Sequence, residues 1–208
     1  MKIALLVLSL VFAGGAVVQD RAKKLSADDV PKVLQNATKA FEAKRYAGCA
    51  RELTSALGLL SGLVRQQMLA TMPPAPAGFA VVEDKNNNAD DANNPFAGLM
   101  GLTVSPAERT YRKEDGDGEL KISIMPEAPM AGMLTMAFNM AAMDKTAEVV
   151  TYGTNKGLMR KEGDRLTLQI LLGAKDLIDV NASGMNDATL LKVVDQAFVD
   201  RVVAALQN

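Results

Sequence analysis

Residues 119–125, Glu-Leu-Lys-Ile-Ser-Ile-Met, alternate polar and apolar at every step, the period of a strand with one face against a core and one in water. Leu120, Ile122 and Ile124 share one side and demand a second layer to cover them. Beyond Pro126 and Pro129 the sequence MAGMLTMAFNMAAM sets Met130, Met133, Met136, Met140 and Met143 at steps of three and four. At 100° per residue all five fall within an arc of about 140° on one helix face. A strand and a helix that each carry an apolar face predict a common core, with the methionines packed into it.

The rest of the chain supplies the partners for that core. Residues 26–72 read as two amphipathic helices joined near 42–48, an antiparallel hairpin. Its first stripe is Val30, Val33, Leu34, Ala37 and Phe41, and its second aligns Cys49 with Leu53, Leu57 and Leu60. Three prolines, Pro73, Pro74 and Pro76, cannot continue a helix and predict a stiff extended link. Strands are expected over 79–82, 103–112, 119–125, 148–152, 158–161, 165–172 and 177–182. Asp115-Gly116-Asp117-Gly118 and Gly153-Thr154-Asn155 supply turns. Leu166, Leu168 and Ile170, then Ile178, Val180 and Ala182, are expected inward. A closing helix runs from Asn186 or Asp187 to Leu206. The predicted class is α+β: an N-terminal helical hairpin followed by an antiparallel sheet, arranged as a meander and covered by two helices.

The amino terminus, MKIALLVLSLVFAGGAVVQD, has a basic start at Lys2, an apolar run over 3–12 and small residues at Gly14 and Ala16. These are the marks of a secretory signal peptide cleaved after Ala16, with an apolar run too short to span a bilayer comfortably. The expected division is 1–16 signal peptide, 17–72 helical hairpin separable at the proline link, and 73–208 sheet domain. The expected location is the bacterial periplasm or beyond, with no stable membrane insertion after cleavage. Cys49 is the only cysteine, so no intramolecular disulfide forms, and its place on the second stripe predicts burial.

Composition removes whole classes of chemistry. There is no histidine, hence no Ser-His or Cys-His catalysis and no imidazole metal ligand. The net charge of −1, the absence of Trp and the 4% aromatic content leave neither the basic surface nor the stacking platforms that nucleic acid requires. No Gly-rich phosphate loop, nucleophile elbow or C-x-x-C pair occurs. Asp84, Asn86, Asn88 and Asp90 have the spacing of a calcium loop, but Ala89 and Pro95 stand where its Gly and Glu belong. Asp179 interrupts an apolar run, and alternation puts it on the wet face. Thioether sulfur is the one soft ligand in quantity, so Met133, Met136 and Met140 are the candidate residues for a Cu(I) or Ag(I) site. Leu134, Ala137, Phe138, Ala141 and Ala142 make that helix apolar almost all round, which favours the core assignment instead. No cofactor and no catalytic residue is expected.

The segment AFEAKRYAGCARELTSAL resembles one tetratricopeptide-type helical pair, with no second copy for it to stack on. MPPAPAGF and SIMPEAPM, set between a signal peptide, a hairpin and a closing helix, resemble an uncharacterised family of secreted bacterial proteins. There the first reads Leu-Pro and Gly-Trp and the second ends in Ser-Pro-Met; Met72 and Phe79 replace the Leu and Trp here. The layout is also similar to PsbP/Mog1-type α+β domains, which implies a fold and no site. The expected function is a non-enzymatic secreted protein acting by binding or in envelope maintenance, through the sheet's polar face or the hairpin. Its partner would be a protein or small molecule. The alternatives are the methionine-based metal protein and a scaffold that forms homo-oligomers through the hairpin.

Overall fold

The computed structural model describes residues 26–82, 106–128, 131–141, 144 and 146–207. The signal peptide, the calcium-like spacing at 84–90, Met130 and Met143 lie outside the described residues. Helices α1 (Asp29–Glu42) and α2 (Tyr46–Thr71) form the hairpin. Strands β1 (Phe79–Val81), β2 (Ala107–Lys113) and β3 (Glu119–Met125) follow, then helix α3 (Ala131–Met140). Strands β4 (Ala147–Tyr152), β5 (Asn155–Glu162), β6 (Arg165–Leu172) and β7 (Asp176–Ser183) precede helices α4 (Asp187–Val193) and α5 (Gln196–Gln207).

The α+β class is as expected, but the sheet is not one meander in chain order. Its seven antiparallel strands run β1-β2-β3-β7-β6-β5-β4. Two meanders meet where β3 pairs with β7, from Glu119 opposite Ser183 to Met125 opposite Leu177. The connection through α3 carries the chain from the middle of the sheet to its β4 edge. Short Gly and Asp turns settle the hairpins locally, whereas the β3–β7 pairing is a long-range choice that buries both strands in the centre.

Leu120, Ile122, Ile124, Leu166, Leu168, Ile170, Ile178, Val180 and Ala182 all lie on the inner face and are buried, as their alternation requires. Two covers close this face. Leu190, Val194, Phe198, Val199 and Val202 come from the carboxy-terminal helices, and Val64, Met68, Leu69 and Met72 from the end of α2. The outer face has a smaller cover, where Leu134, Ala137, Phe138 and Ala141 pack on Met125, Leu158, Leu171 and Leu177.

Two expectations need correction. The hairpin does not pack as a body apart from the sheet, because the last turns of α2 belong to the sheet's own core. Met72 and Pro73 are themselves buried, and β2 reaches up to hold them. The Arg109 Nη2 donates to the Leu69 carbonyl at 3.0 Å, and the Tyr111 hydroxyl donates to the Pro73 carbonyl at 2.6 Å. Arg109 thus places a cation and a donor at a helix end whose last carbonyls lack helical partners. The closing helix is two helices. Val194 leaves helical geometry at φ −98°, ψ 67°, and the Asp195 carboxylate accepts from the Phe198 backbone N–H at 2.7 Å, starting α5 afresh.

Candidate functional site

The methionine helix is docked the other way round from the expectation. Ala131 and Leu134 are buried and Ala137 and Phe138 half-buried, while Met133, Met136 and Met140 are 70%, 70% and 60% exposed. Because α3 is apolar on all sides but the strip of Thr135 and Asn139, hydrophobicity alone does not choose between the methionine face and the Ala131, Leu134 and Ala137 face. The face with small residues allows the helix axis to approach closely, and that face wins. The methionines at these three positions are therefore not core, and their sulfurs stand on a solvent-facing stripe. No group of three or more Cys, Asp or Glu side chains able to hold a metal occurs among the described residues.

The outer face of the sheet beyond α3 is polar and ordered. Across one row the register sets Glu108, Ser123, Asp179 and Gln169 side by side, and across the next Thr110, Lys121, Asn181 and Thr167. Asp179, on the wet face as alternation places it, sits on the central strand and is half-buried. Its carboxylate accepts from the Gln169 amide at 3.0 Å and the Asn181 amide at 2.8 Å. Beside it Lys121 Nζ meets Glu108 at 2.8 Å. These cross-strand pairs satisfy one another, and no group among them is set as a nucleophile with an adjacent base.

At the opposite end of the inner layer an open depression of about 520 Å³ is lined by Phe79, Lys161, Asp164, Leu166, Met185 and Thr189, among others. Its lysine is engaged by Asp187 at 3.2 Å. The two most perturbed hydroxyls lie elsewhere in the fold. Burial pushes Tyr111 above the ordinary tyrosine range, with the neighbouring Arg109 guanidinium opposing it. Burial pushes Tyr152 up to about 12, and the charge of Asp195 adds to the effect.

The third surface is the hairpin. Helix α1 buries Val30, Ala37 and Ala40, and α2 buries Ala56 and Met68. Leu34 and Phe41 from the first stripe are 42% and 61% exposed, and Leu53, Leu57 and Leu60 from the second are 46%, 56% and 42% exposed. Tyr46, also exposed, meets the Phe41 ring edge-on at 5.9 Å. Cys49 is half-buried with a free thiol, less enclosed than its register suggests. The cause is length: 26 residues of α2 extend about 39 Å, and only the last turns reach the sheet. The small residues Ala37, Ala40 and Gly48 bring the two helices close and leave the larger side chains to the flank. Sequence periodicity marks the stripe as apolar but not which part of it lacks a partner.

No family model, curated protein or solved structure matches the chain, so the functional argument rests on these surfaces. No helix among the described residues is long and apolar enough to cross a membrane.

Proposed function

We propose that this chain is a non-enzymatic secreted protein of the bacterial periplasm that works by contact, with the helical hairpin as its contact surface. The observation that carries the reading is the set of six large apolar side chains, Leu34, Phe41, Tyr46, Leu53, Leu57 and Leu60, left in water on one projecting element. Scattered exposed leucines need no explanation, but a contiguous apolar patch on a soluble protein marks an interaction site. The leader over residues 1–16 supports export. The polar ladder around Asp179 is self-satisfied and serves as the solvated side of an antiparallel sheet. Native electrophoresis of periplasmic extract tests the reading. The wild-type chain should migrate in a species larger than a monomer, and Leu53→Glu with Leu57→Glu should shift it to the monomer. A wild type that migrates free overturns the reading, as would hydrolase turnover abolished by Asp179→Asn.

A second reading is favoured by the exposure of the methionine stripe. Met133, Met136 and Met140 present three soft thioethers on one turn-to-turn line, the arrangement a monovalent copper or silver ion accepts. Met136 sits between the other two, within one helical turn of each. A Cu(I) competition titration decides it: binding lost in Met133→Leu with Met136→Leu supports a metal role, and absence of submicromolar binding removes it.

A further inference from the structure

We infer that the partner of the hairpin is a second copy of this chain, the two hairpins closing about a two-fold axis into a four-helix bundle. The inference rests on the hairpin being the contact surface.

Leu53, Leu57, Leu60 and Val64 follow one another at steps of four, three and four, which is the a and d spacing of a helix seam. A seam of that kind is filled by knobs from another helix of the same period. Val64 is half-buried at the sheet end, so the open part of the seam is Leu53 to Leu60. On α1, Leu34 and Phe41 are rotated by about 80° from the line through Val33, Ala37 and Ala40 that meets α2. On α2 the leucines are rotated by about 110° in the same sense from the line through Gly48 and Ala56. In an antiparallel pair, rotations of the same sense and similar size point to the same side. The two helices therefore offer one joint face.

A two-fold interface sets each patch against its own image, so any excess of one charge would repel itself. Residues 53–64, Leu-Thr-Ser-Ala-Leu-Gly-Leu-Leu-Ser-Gly-Leu-Val, contain no charged residue. That stretch is the longest uncharged run of α2, lying between Glu52 and Arg65, and it coincides with the exposed seam. Loss of charge from an interface core is also the compositional signature of association.

The six exposed side chains leave on the order of 500 Å² of apolar surface per chain. Two copies together remove about 1,000 Å² before the flanking Thr54 and Ser61 are counted, which reaches the threshold for a specific interface. Antiparallel crossing of the seams places Leu57 of one protomer against Leu60 of its partner.

The test uses the full chain expressed with its own leader and a photo-crosslinking amino acid at position 57, with a second probe at Thr54 in case the first disturbs the seam. A control probe at Thr167 on the outer sheet face should give no self-adduct. Irradiation of cells should give an adduct of about twice the mass of the exported monomer, containing this chain alone by mass spectrometry. Its yield should fall about tenfold when Leu53 and Leu60 are changed to glutamate, while circular dichroism of the purified variant stays unchanged. Adducts only with a different protein overturn self-pairing and leave the hairpin as the contact surface. Failure of both probes to form any adduct overturns both.

Discussion

Lys44 ends α1 in a conformation that suits glycine. Its φ is +57°, the Lys44 N–H bonds the Phe41 carbonyl at 2.8 Å and the Arg45 N–H bonds the Ala40 carbonyl at 2.8 Å. These are the two bonds of a Schellman cap with an L residue in the left-handed position. Lys44→Gly removes the Cβ penalty at no contact cost and should raise stability by about 1 kcal/mol, read from a denaturant midpoint shift at constant slope. Tyr152 carries the opposite kind of strain, since its buried hydroxyl has no hydrogen-bond partner and its ring covers Gly157. Its folded pKa of about 12 lies above the unfolded value near 10. Between those values the unfolded chain has released the proton and the folded chain has kept it. Stability is therefore complete below pH 10 and declines as pH rises toward 12. Tyr152→Phe should flatten that decline in melts taken across the range without lowering stability at neutral pH, because the unsatisfied hydroxyl is gone.

At the scale of elements, the strands were legible because the inner face of the sheet is buried along its length while the outer face is largely polar, and period two then assigns the inner residues. Residues 165–172 and the inward sets of β3, β6 and β7 follow directly from alternation. Helix α3 was not legible in the same way. Its buried side, Ala131, Leu134 and Ala141, and its exposed side, Met133, Met136 and Met140, are both apolar, so only the shape of the sheet surface separates them. Nor does local patterning contain the β3–β7 pairing or the restart at Asp195, where a capping carboxylate outweighs an unbroken apolar period. The orientation of α3 makes a differential prediction. Leu134→Ala should cost about 2–4 kcal/mol, whereas Met136→Ala should cost under about 0.5 kcal/mol, read by chemical denaturation. Equal costs would show that the methionines are the packed side. Asp195→Ala should cost about 1 kcal/mol through loss of the α5 cap, visible as a lower melting temperature.

At the scale of the described molecule, a sheet covered on its inner face by α4, α5 and the end of α2, and on part of its outer face by α3, carries a hairpin half of which overhangs. The sheet and its inner helices use the end of α2 as structural material, while Leu34 and Phe41 on α1 and Leu53, Leu57 and Leu60 on α2 face solvent. Arg109 and Tyr111 fix the angle of that arm by gripping the α2 terminus. Tyr111→Phe should cost about 1 kcal/mol and loosen the junction without unfolding the sheet, seen as faster amide exchange near Met72. As for the contact surface itself, the sequence shows an apolar stripe on α2, and only the length of the helix against the width of the sheet shows that the stripe is unoccupied. Sedimentation equilibrium of the purified chain at micromolar concentration tests that claim most directly. The account predicts twice the monomer mass for the wild type and the monomer mass for Leu57→Glu. A monomer for both, at concentrations where the apolar face should associate, would contradict it.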